Sequence, residues 1–180
     1  WVKKVQGKWI ILQPTNFKII FANDISLSAM RAWRSYFKNR GHSDNTFHLG
    51  SIVDLVKIAR EGKNVFPKNV DIITGGFPCQ DFSNAGKRRG FQSHRSHNGK
   101  LMATGEPTIE SRGALYMWMR EVIDIVRPKM FIAENVKALT TLADTKRIIE
   151  NDFASIGQDG YIVLSRIFHA AEYGVPQTRE

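Results

Sequence analysis

The chain has 180 residues, a formal net charge of +9, 42% hydrophobic residues and a single cysteine. This length and hydrophobic content suit one folded domain and argue against a disordered chain. We expect no membrane span and no signal peptide, and therefore an intracellular protein, while a lone cysteine excludes an internal disulfide. The positive charge favours a polyanionic partner, although a soluble basic domain has the same balance.

Four apolar runs predict strands, and helical spacing of apolar residues separates them. The predicted strands cover residues 17–23, 70–74, 130–133 and 161–168, and residues 9–12 are also strand-like. The predicted helices cover residues 30–37, 51–60, 113–126 and 144–156, each followed by a glycine or a proline. This alternation predicts an α/β domain with a mostly parallel sheet, whose ligand sites lie beyond the carboxyl ends of the strands.

Cys79 follows one of those strand ends and is the first candidate for chemistry. Two glycines and Pro78 come before it, so the chain can turn sharply and present the side chain at a site. From its position alone, a thiol that fills core space explains Cys79 as well as a reactive thiol does. A reactive thiol needs electropositive surroundings, and the basic run 87–89 is close in sequence.

Two carboxylates also stand where predicted strands end. Glu134 follows residues 130–133, where it could act as a general acid in a cleft or simply interact with a helix dipole. Asp24 follows residues 17–23, where an acidic residue could accept hydrogen bonds from ribose hydroxyls or cap the next helix. Residue type alone does not decide between these roles.

Residues 77–111 have no periodicity, and a loop of this length in a compact domain is functional or disordered. Cations dominate it and suit phosphate contacts, although a solvated charge run is the simpler explanation. The basic side chains are those of Lys87, Arg88, Arg89, His94, Arg95, His97, Lys100 and Arg112. Near the end of the chain, Gln177 and Arg179 could hold an anion or a base edge, or form an ordinary polar turn.

Short motifs follow one another along the chain in a distinctive order. Gly-Gly-Phe-Pro-Cys-Gln is followed by Phe-Ser, Gly-Lys-Arg-Arg-Gly-Phe, Arg-Gly-Ala-Leu, Glu-Asn-Val and Tyr-Gly-Val-Pro-Gln-Thr-Arg-Glu. Each motif is weak alone, but together they resemble the DNA cytosine-5 methyltransferases over nearly all of the chain from Phe17 onward. The resemblance implies a Rossmann-like methyltransferase fold that uses S-adenosylmethionine and acts on double-stranded DNA without a metal. It also implies a bacterial restriction-modification setting, with a cognate restriction endonuclease or a complementary subunit as partner.

The resemblance implies catalytic roles residue by residue. Cys79 matches the nucleophile that attacks C6 of a cytosine flipped out of the duplex. Glu134 resembles the acid that contacts N3 and the exocyclic amine, and Asn135 would support that loop. Arg179 matches the first arginine of the family's Gln-x-Arg-x-Arg motif, near the cytosine.

The resemblance also implies two sets of binding residues. The cofactor set comprises Asp24 for the ribose, Ile25 and Ile52 for adenine, Ser51 beside them, and Pro78 and Leu115 on the methionine side. The set expected near DNA comprises Phe77, Gln80, Ser83, Lys87, Arg88, Arg89, Asn135 and Gln177. Residues 1–180 are expected to form one catalytic and cofactor-binding domain, in which residues 83–112 are a mobile active-site loop that closes over DNA.

Four features depart from the family pattern. No Phe-x-Gly-x-Gly-Gly loop precedes Phe17, and Ser51 stands where the family usually has an aspartate for the adenine amine. Residues 94–111 look like an insertion, and the last motif arginine and the region expected to read DNA sequence are missing. We therefore expect a fragment of a longer enzyme, or one subunit of a split enzyme.

Three other hypotheses remain open at this point. The chain could be a nucleic-acid-binding module with an inactive, vestigial site. The same chemistry could instead methylate cytosine in RNA. A thiol enzyme unrelated to methyl transfer would need a histidine base near Cys79, for which His94 and His97 are candidates without an identifiable orienting partner.

Overall fold

The computed structural model describes residues 2–7, 9–13, 15–37, 40–77, 115–137, 139, 144–175 and 177–178. Within these residues the chain forms six strands and four α-helices. The strands are β1 (Val2–Gln6), β2 (Trp9–Leu12), β3 (Ala22–Asp24), β4 (Phe47–Leu49), β5 (Ile72–Gly76) and β6 (Met130–Glu134). The helices are α1 (Leu27–Phe37), α2 (Ile52–Arg60), α3 (Tyr116–Val126) and α4 (Thr145–Ala154), and short 3-10 turns cover Asp44–Thr46 and Ala170–Tyr173.

The strands pair two by two. β1 and β2 form an antiparallel hairpin, whereas β3 pairs with β4, and β5 with β6, in parallel. Helix α1 connects β3 to β4, and α3 leads into β6, as parallel pairing requires a crossover between the strands. These elements confirm an α/β arrangement with parallel strands. Within the described ranges, however, they form three two-stranded sheets rather than one continuous sheet.

The strand predicted at residues 161–168 is wrong. This segment is extended but belongs to no sheet among the described residues. Ile162 and Leu164 are 94% and 91% exposed, while Tyr161 and Val163 pack against the core. The sequence has the alternation of a half-buried strand, but a strand also needs the backbone hydrogen bonds of a neighbouring strand.

Helix α3 lies at the centre of the packing, because its two faces contribute to two different core clusters. Tyr116 and Ile123 pack with Phe153 of α4, in a cluster that also includes Leu139, Ile149 and Ile156. Leu115 and Trp118 pack on the opposite side with Val53 and Val56 of α2. Ile123 is fully buried, and complete burial of a side chain of this size contributes roughly 1.5–3 kcal/mol.

The C-terminal half of α3 also connects the helix to α2. Arg60 of α2 forms ion pairs with Glu121 and Asp124 of α3, at 2.6 and 2.7 Å. The helix ends at Arg127, whose left-handed backbone (φ 52°) stops it before Pro128.

Among the described residues, none of the helices has the length and apolar character that a membrane span requires.

Candidate active site

A cleft of about 360 Å³ opens among β3, β5, α3 and the segments next to them. This volume lies within the range of small-molecule sites, and most of the lining side chains are apolar, as is usual for such sites. The cleft includes the carboxyl ends of two parallel strands, Asp24 at the end of β3 and Gly76 at the end of β5. It is therefore at the edge where an α/β domain is expected to bind ligands.

The structure brings together residues that are far apart in the sequence. Five of the six predicted cofactor residues line this one cleft, and so does Phe77 from the predicted DNA set. The five are Asp24, Ile25, Ser51, Ile52 and Leu115. The sixth, Pro78, lies outside the described residues.

Asp24 has a local role in addition to its position at the cleft. Its Oδ1 accepts a hydrogen bond from the backbone N–H of Ser26 at 2.7 Å. The cap of α1 belongs to Ser26 itself, whose hydroxyl oxygen accepts from the N–H of Ala29 at 3.3 Å. Asp24 thus shapes the turn into α1, and its side chain is exposed at the cleft.

Ser51 is the N-cap of α2. Its hydroxyl oxygen accepts from the N–H of Val53 at 3.2 Å, and the residue is only 8% exposed. A hydroxyl is well suited to this cap. Ser51 therefore caps α2 at the position where the family pattern has an aspartate.

Asn23 also lines the cleft and was not predicted as a site residue. Its side-chain amide donates to the carbonyls of His48 and Gly50, at 2.8 and 3.0 Å. The N–H of Gly50 donates to the carbonyl of Asp24 at 3.1 Å. These bonds fasten the end of β3 to the loop before α2, so Asp24 and Ser51 are held at the same side of the cleft.

Glu134 ends β6 directly opposite Gly76 of β5. A β-carbon on Gly76 would lie 3.4 Å from Oε2 of Glu134, so the carboxylate reaches over the neighbouring strand end. The preceding residue, Gly75, is crowded from the other side, because a β-carbon there would lie 3.1 Å from the sulfur of Met119. The two glycines therefore leave room for Glu134 and for α3.

Asn135 joins the two strand ends. Its side-chain N–H donates to the carbonyl of Phe77 at 3.1 Å, and its Oδ1 accepts from the N–H of Val136 at 2.8 Å. Phe77 is the last described residue before residue 115, and it lies two positions before Cys79 in the sequence. The side chain of Asn135, in the loop after β6, therefore holds the backbone of Phe77 just after β5.

The remaining predicted residues fall into two groups. Most lie outside the described residues, namely Pro78, Cys79, Gln80, Ser83, Lys87, Arg88, Arg89 and Arg179. Gln177 is described, is exposed and is absent from the cleft lining. Its backbone N–H donates to the carbonyl of Val175 at 2.8 Å, as in a polar turn.

Comparison with known proteins gives a consistent result. The family model for C-5 cytosine-specific DNA methylases matches residues 4–180. The Type II methyltransferase M1.ScrFI of Lactococcus lactis subsp. cremoris is 30% identical over 168 residues, which cover 93% of this chain and 35% of the relative. M.NgoFVII of Neisseria gonorrhoeae is 38% identical over 89% of the chain and 35% of the relative.

A third Type II methyltransferase, M.HpaII of Haemophilus parainfluenzae, is 31% identical over 98% of the chain and 41% of its own length. The chain therefore spans about a third to two fifths of these relatives. Because the family model matches almost the whole chain, the family that the motifs resemble is confirmed. The chain belongs to the C-5 cytosine-specific DNA methylases.

Proposed function

We propose that the protein to which this chain belongs transfers a methyl group from S-adenosylmethionine to C5 of cytosine in double-stranded DNA, in a restriction-modification setting. The observation that carries the proposal is the single cleft that gathers Asp24, Ile25, Ser51, Ile52 and Leu115 at one edge of the domain. Family membership and the similarity to Type II methyltransferases support DNA as the substrate. The domain would have the Rossmann-like fold of such methyltransferases, with the rest of the enzyme supplied by further sequence or by a complementary subunit.

The residues that line the cleft suit a nucleoside cofactor. Asp24 carries a carboxylate, which is the acceptor that vicinal ribose hydroxyls need. Ile25 and Ile52 provide apolar surface for a purine ring, and Leu115 lies where the methionine portion is expected. When bound, the cofactor supplies an electrophilic methyl group on its sulfonium. A volume of about 360 Å³ is adequate for a ligand of this class.

The proposed chemistry begins with Cys79. Its thiolate adds to C6 of a cytosine that has left the base stack, and the new S–C6 bond makes C5 nucleophilic. Glu134 contacts N3 and the exocyclic amine, which stabilises the adduct as it forms. Once C5 has taken the methyl group and S-adenosylhomocysteine has left, loss of the C5 proton to a base and cleavage of the S–C6 bond restore the thiolate. Gly76 supports this role for Glu134, because it leaves the space over which the carboxylate reaches.

The proposed DNA contacts would come from the basic loop 83–112 together with Phe77, Gln80, Asn135 and Gln177. Arg179 is proposed as a catalytic residue near the cytosine. Lysine and arginine side chains on a loop that closes over the duplex would contact phosphates and exclude water. The hydrogen bond from Asn135 to Phe77 supports a fixed starting point for this loop at β5.

The test is a trapped covalent adduct. The full-length protein is incubated with S-adenosylmethionine and duplex DNA that carries 5-fluorocytosine in its target site. Fluorine cannot leave as the C5 proton does, so the wild-type protein should become irreversibly linked to DNA through Cys79. Cys79→Ser should give no adduct, and an otherwise identical duplex with ordinary cytosine should be methylated and released. Methylation that survives Cys79→Ser would contradict the mechanism.

Two controls separate the alternatives. A calorimetric titration with S-adenosylmethionine distinguishes an enzyme from a binding module with a vestigial site, because the module should not bind the cofactor. Comparison of duplex DNA and transfer RNA as methyl acceptors distinguishes the two nucleic-acid substrates. The match to DNA methylases favours DNA.

A further inference from the structure

Tyr116 opens α3 and makes a partly buried hydrogen bond that packing alone does not require. The residue is 5% exposed, and its hydroxyl donates to Oδ2 of Asp152 in α4 at 2.6 Å. Burial, together with this carboxylate, raises the pKa of Tyr116 well above its usual range. The phenol is therefore the donor in this hydrogen bond. A phenylalanine would fill nearly the same space without the need to satisfy a buried hydroxyl.

The ring of Tyr116 is in contact with the end of β5. Its centroid lies 6.0 Å from that of Phe77, at an interplanar angle of 57°. The carbonyl of the same Phe77 accepts the hydrogen bond from Asn135. Tyr116 of α3 therefore contacts the side chain of Phe77, and Asn135 binds its backbone. Phe77 lies two positions before Cys79 in the sequence.

The first turns of α3 also form a wall of the cleft. Leu115 and Met119 line it, and Met119 lies against Gly75 of β5. Asp152 fastens these turns twice, through its carboxylate to Tyr116 and through its carbonyl to the guanidinium of Arg120 at 3.1 Å. A shift of α3 away from α4 would therefore move the cleft wall and Phe77 together.

We propose that Tyr116 is a positioning residue for the methyl transfer proposed above: its hydrogen bond to Asp152 fixes the ring against which Phe77 packs, and so fixes the end of β5 from which the Cys79 segment departs. This inference rests on the proposed function. Tyr116 need not touch substrate or cofactor for this role. Displacements of about 1 Å in supporting residues lower reaction rates by up to about 100-fold.

The matched variants are Tyr116→Phe and Tyr161→Phe. The hydroxyl of Tyr161 also donates at 2.6 Å, but to the carbonyl of Pro128, before β6 begins and away from Glu134 at its other end. Both substitutions remove one phenol hydrogen bond from the same core region. In the full-length enzyme, Tyr116→Phe should lower kcat about tenfold with little change in KM, whereas Tyr161→Phe should leave kcat near wild type.

Substitutions of Asp152 complete a double-mutant cycle with Tyr116→Phe. Asp152→Ala should resemble Tyr116→Phe, and the double variant should be no worse than either single one, because both remove the same bond. Asp152→Asn keeps an oxygen acceptor and should restore most of kcat. Equal effects of Tyr116→Phe and Tyr161→Phe on kcat, or additive losses in the double variant, would overturn the positioning role.

Amide hydrogen exchange of a peptide over residues 72–77 gives a readout that does not depend on activity. Exchange should be faster in Tyr116→Phe and unchanged in Tyr161→Phe. If the wild-type enzyme transfers no methyl group, the proposed function fails, while this comparison still decides whether Tyr116 holds the end of β5. Unchanged exchange in Tyr116→Phe would overturn the inference.

Discussion

The two sides of the cleft are built in different ways. On the β5–β6 side, five-residue strands rest on α3 and α4, and the residues between them include Ile123 and Phe153, with at most 2% exposure. On the β3–β4 side, the paired strands have three residues each, and α1 has no buried residue. The proposed catalytic residue Glu134 is exposed at the end of the longer strand pair and does not line the cleft, and the proposed cofactor residue Asp24 is exposed at the end of the shorter pair and does line it.

Hydrogen bonds supplement aromatic packing on the β3–β4 side, where Phe47 of β4 is 7% exposed and packs against Trp33 of α1. Asn23 holds the loop before α2, Ser26 and Ser51 cap α1 and α2, and Asp24 closes the turn into α1. Such bonds contribute about 1 kcal/mol each, less than a buried aromatic side chain. We therefore expect the β3–β4 side, where the proposed cofactor residue Asp24 lies, to gain stability when a ligand binds.

The largest expected effect comes from a substitution in the core between α3 and α4. Phe153→Ala removes a side chain that is 2% exposed and contacts the rings of Tyr116 and Phe131. We expect the free energy of unfolding to fall by about 3–5 kcal/mol. Chemical denaturation of the full-length protein measures it, and Ile148→Ala on the same helix, at a site 39% exposed, is the control. Similar losses in the two variants would mean that the α3–α4 core is not the main support.

The second prediction tests the proposed role of Asp24 in cofactor binding and keeps the turn that this residue forms with Ser26. Asp24→Asn keeps an acceptor for the N–H of Ser26 but removes the negative charge. Loss of a charged hydrogen bond, worth about 1.5–3 kcal/mol, should weaken the affinity for S-adenosylmethionine by roughly 10- to 100-fold. Titration calorimetry measures the affinity, and Asp54→Asn on the exposed side of α2 is the control. An unchanged affinity would leave Asp24 with its local turn as its only role.

The third effect concerns the residue that holds β3 to the next loop. Asn23→Ala removes the donors to the carbonyls of His48 and Gly50. We expect about 1–2 kcal/mol less stability, and a weaker affinity for the cofactor because Asp24 and Ser51 are no longer held together. Thermal unfolding with and without the cofactor gives both quantities. Asn45→Ala, at a surface site, should change neither, and equal behaviour of the two variants would refute the role of Asn23.

The sequence was sufficient for the four α-helices, because helical periodicity is local, but it did not predict the short strands β1 and β4. α1 to α4 begin within about three residues of their predicted starts. Residues 161–168 were mispredicted because strand formation depends on a partner elsewhere in the chain. The role of Asn23 was missed for a similar reason, since its acceptors belong to residues 25 and 27 positions away.

The candidate site was predictable in a different way. The motif order indicated Asp24, Ile25, Ser51, Ile52 and Leu115, and parallel topology then explains why residues so distant in sequence line one cleft. The hydrogen bonds of Tyr116 and Asn135 could not be predicted from those motifs. They depend on where α4 and the β5 end lie in space, which residue order does not specify.

The smallest expected effect concerns the ion pairs that join α2, on the cofactor side, to α3, on the packed side. The hydrogen bond from Arg60 lowers the pKa of Asp124, so this carboxylate contributes stability above its ordinary pKa and loses it as the pH falls through the lowered value. Both side chains are partly exposed, at 47% and 29%, which limits the contribution to about 0.5–1 kcal/mol.

Arg60→Gln should therefore lower stability slightly at pH 7 and make it less sensitive to acid, because the largest cause of the lowered pKa of Asp124 is removed while Arg127 and Arg120 still lower it. Denaturant midpoints at pH 7 and pH 3 measure the difference. Lys63→Gln is the control, because Lys63 forms an exposed ion pair with Glu61 at 3.9 Å. An identical pH dependence in wild type and Arg60→Gln would show that the two sides of the cleft are joined by the packing of Trp118 against Val53 and Val56 rather than by charge.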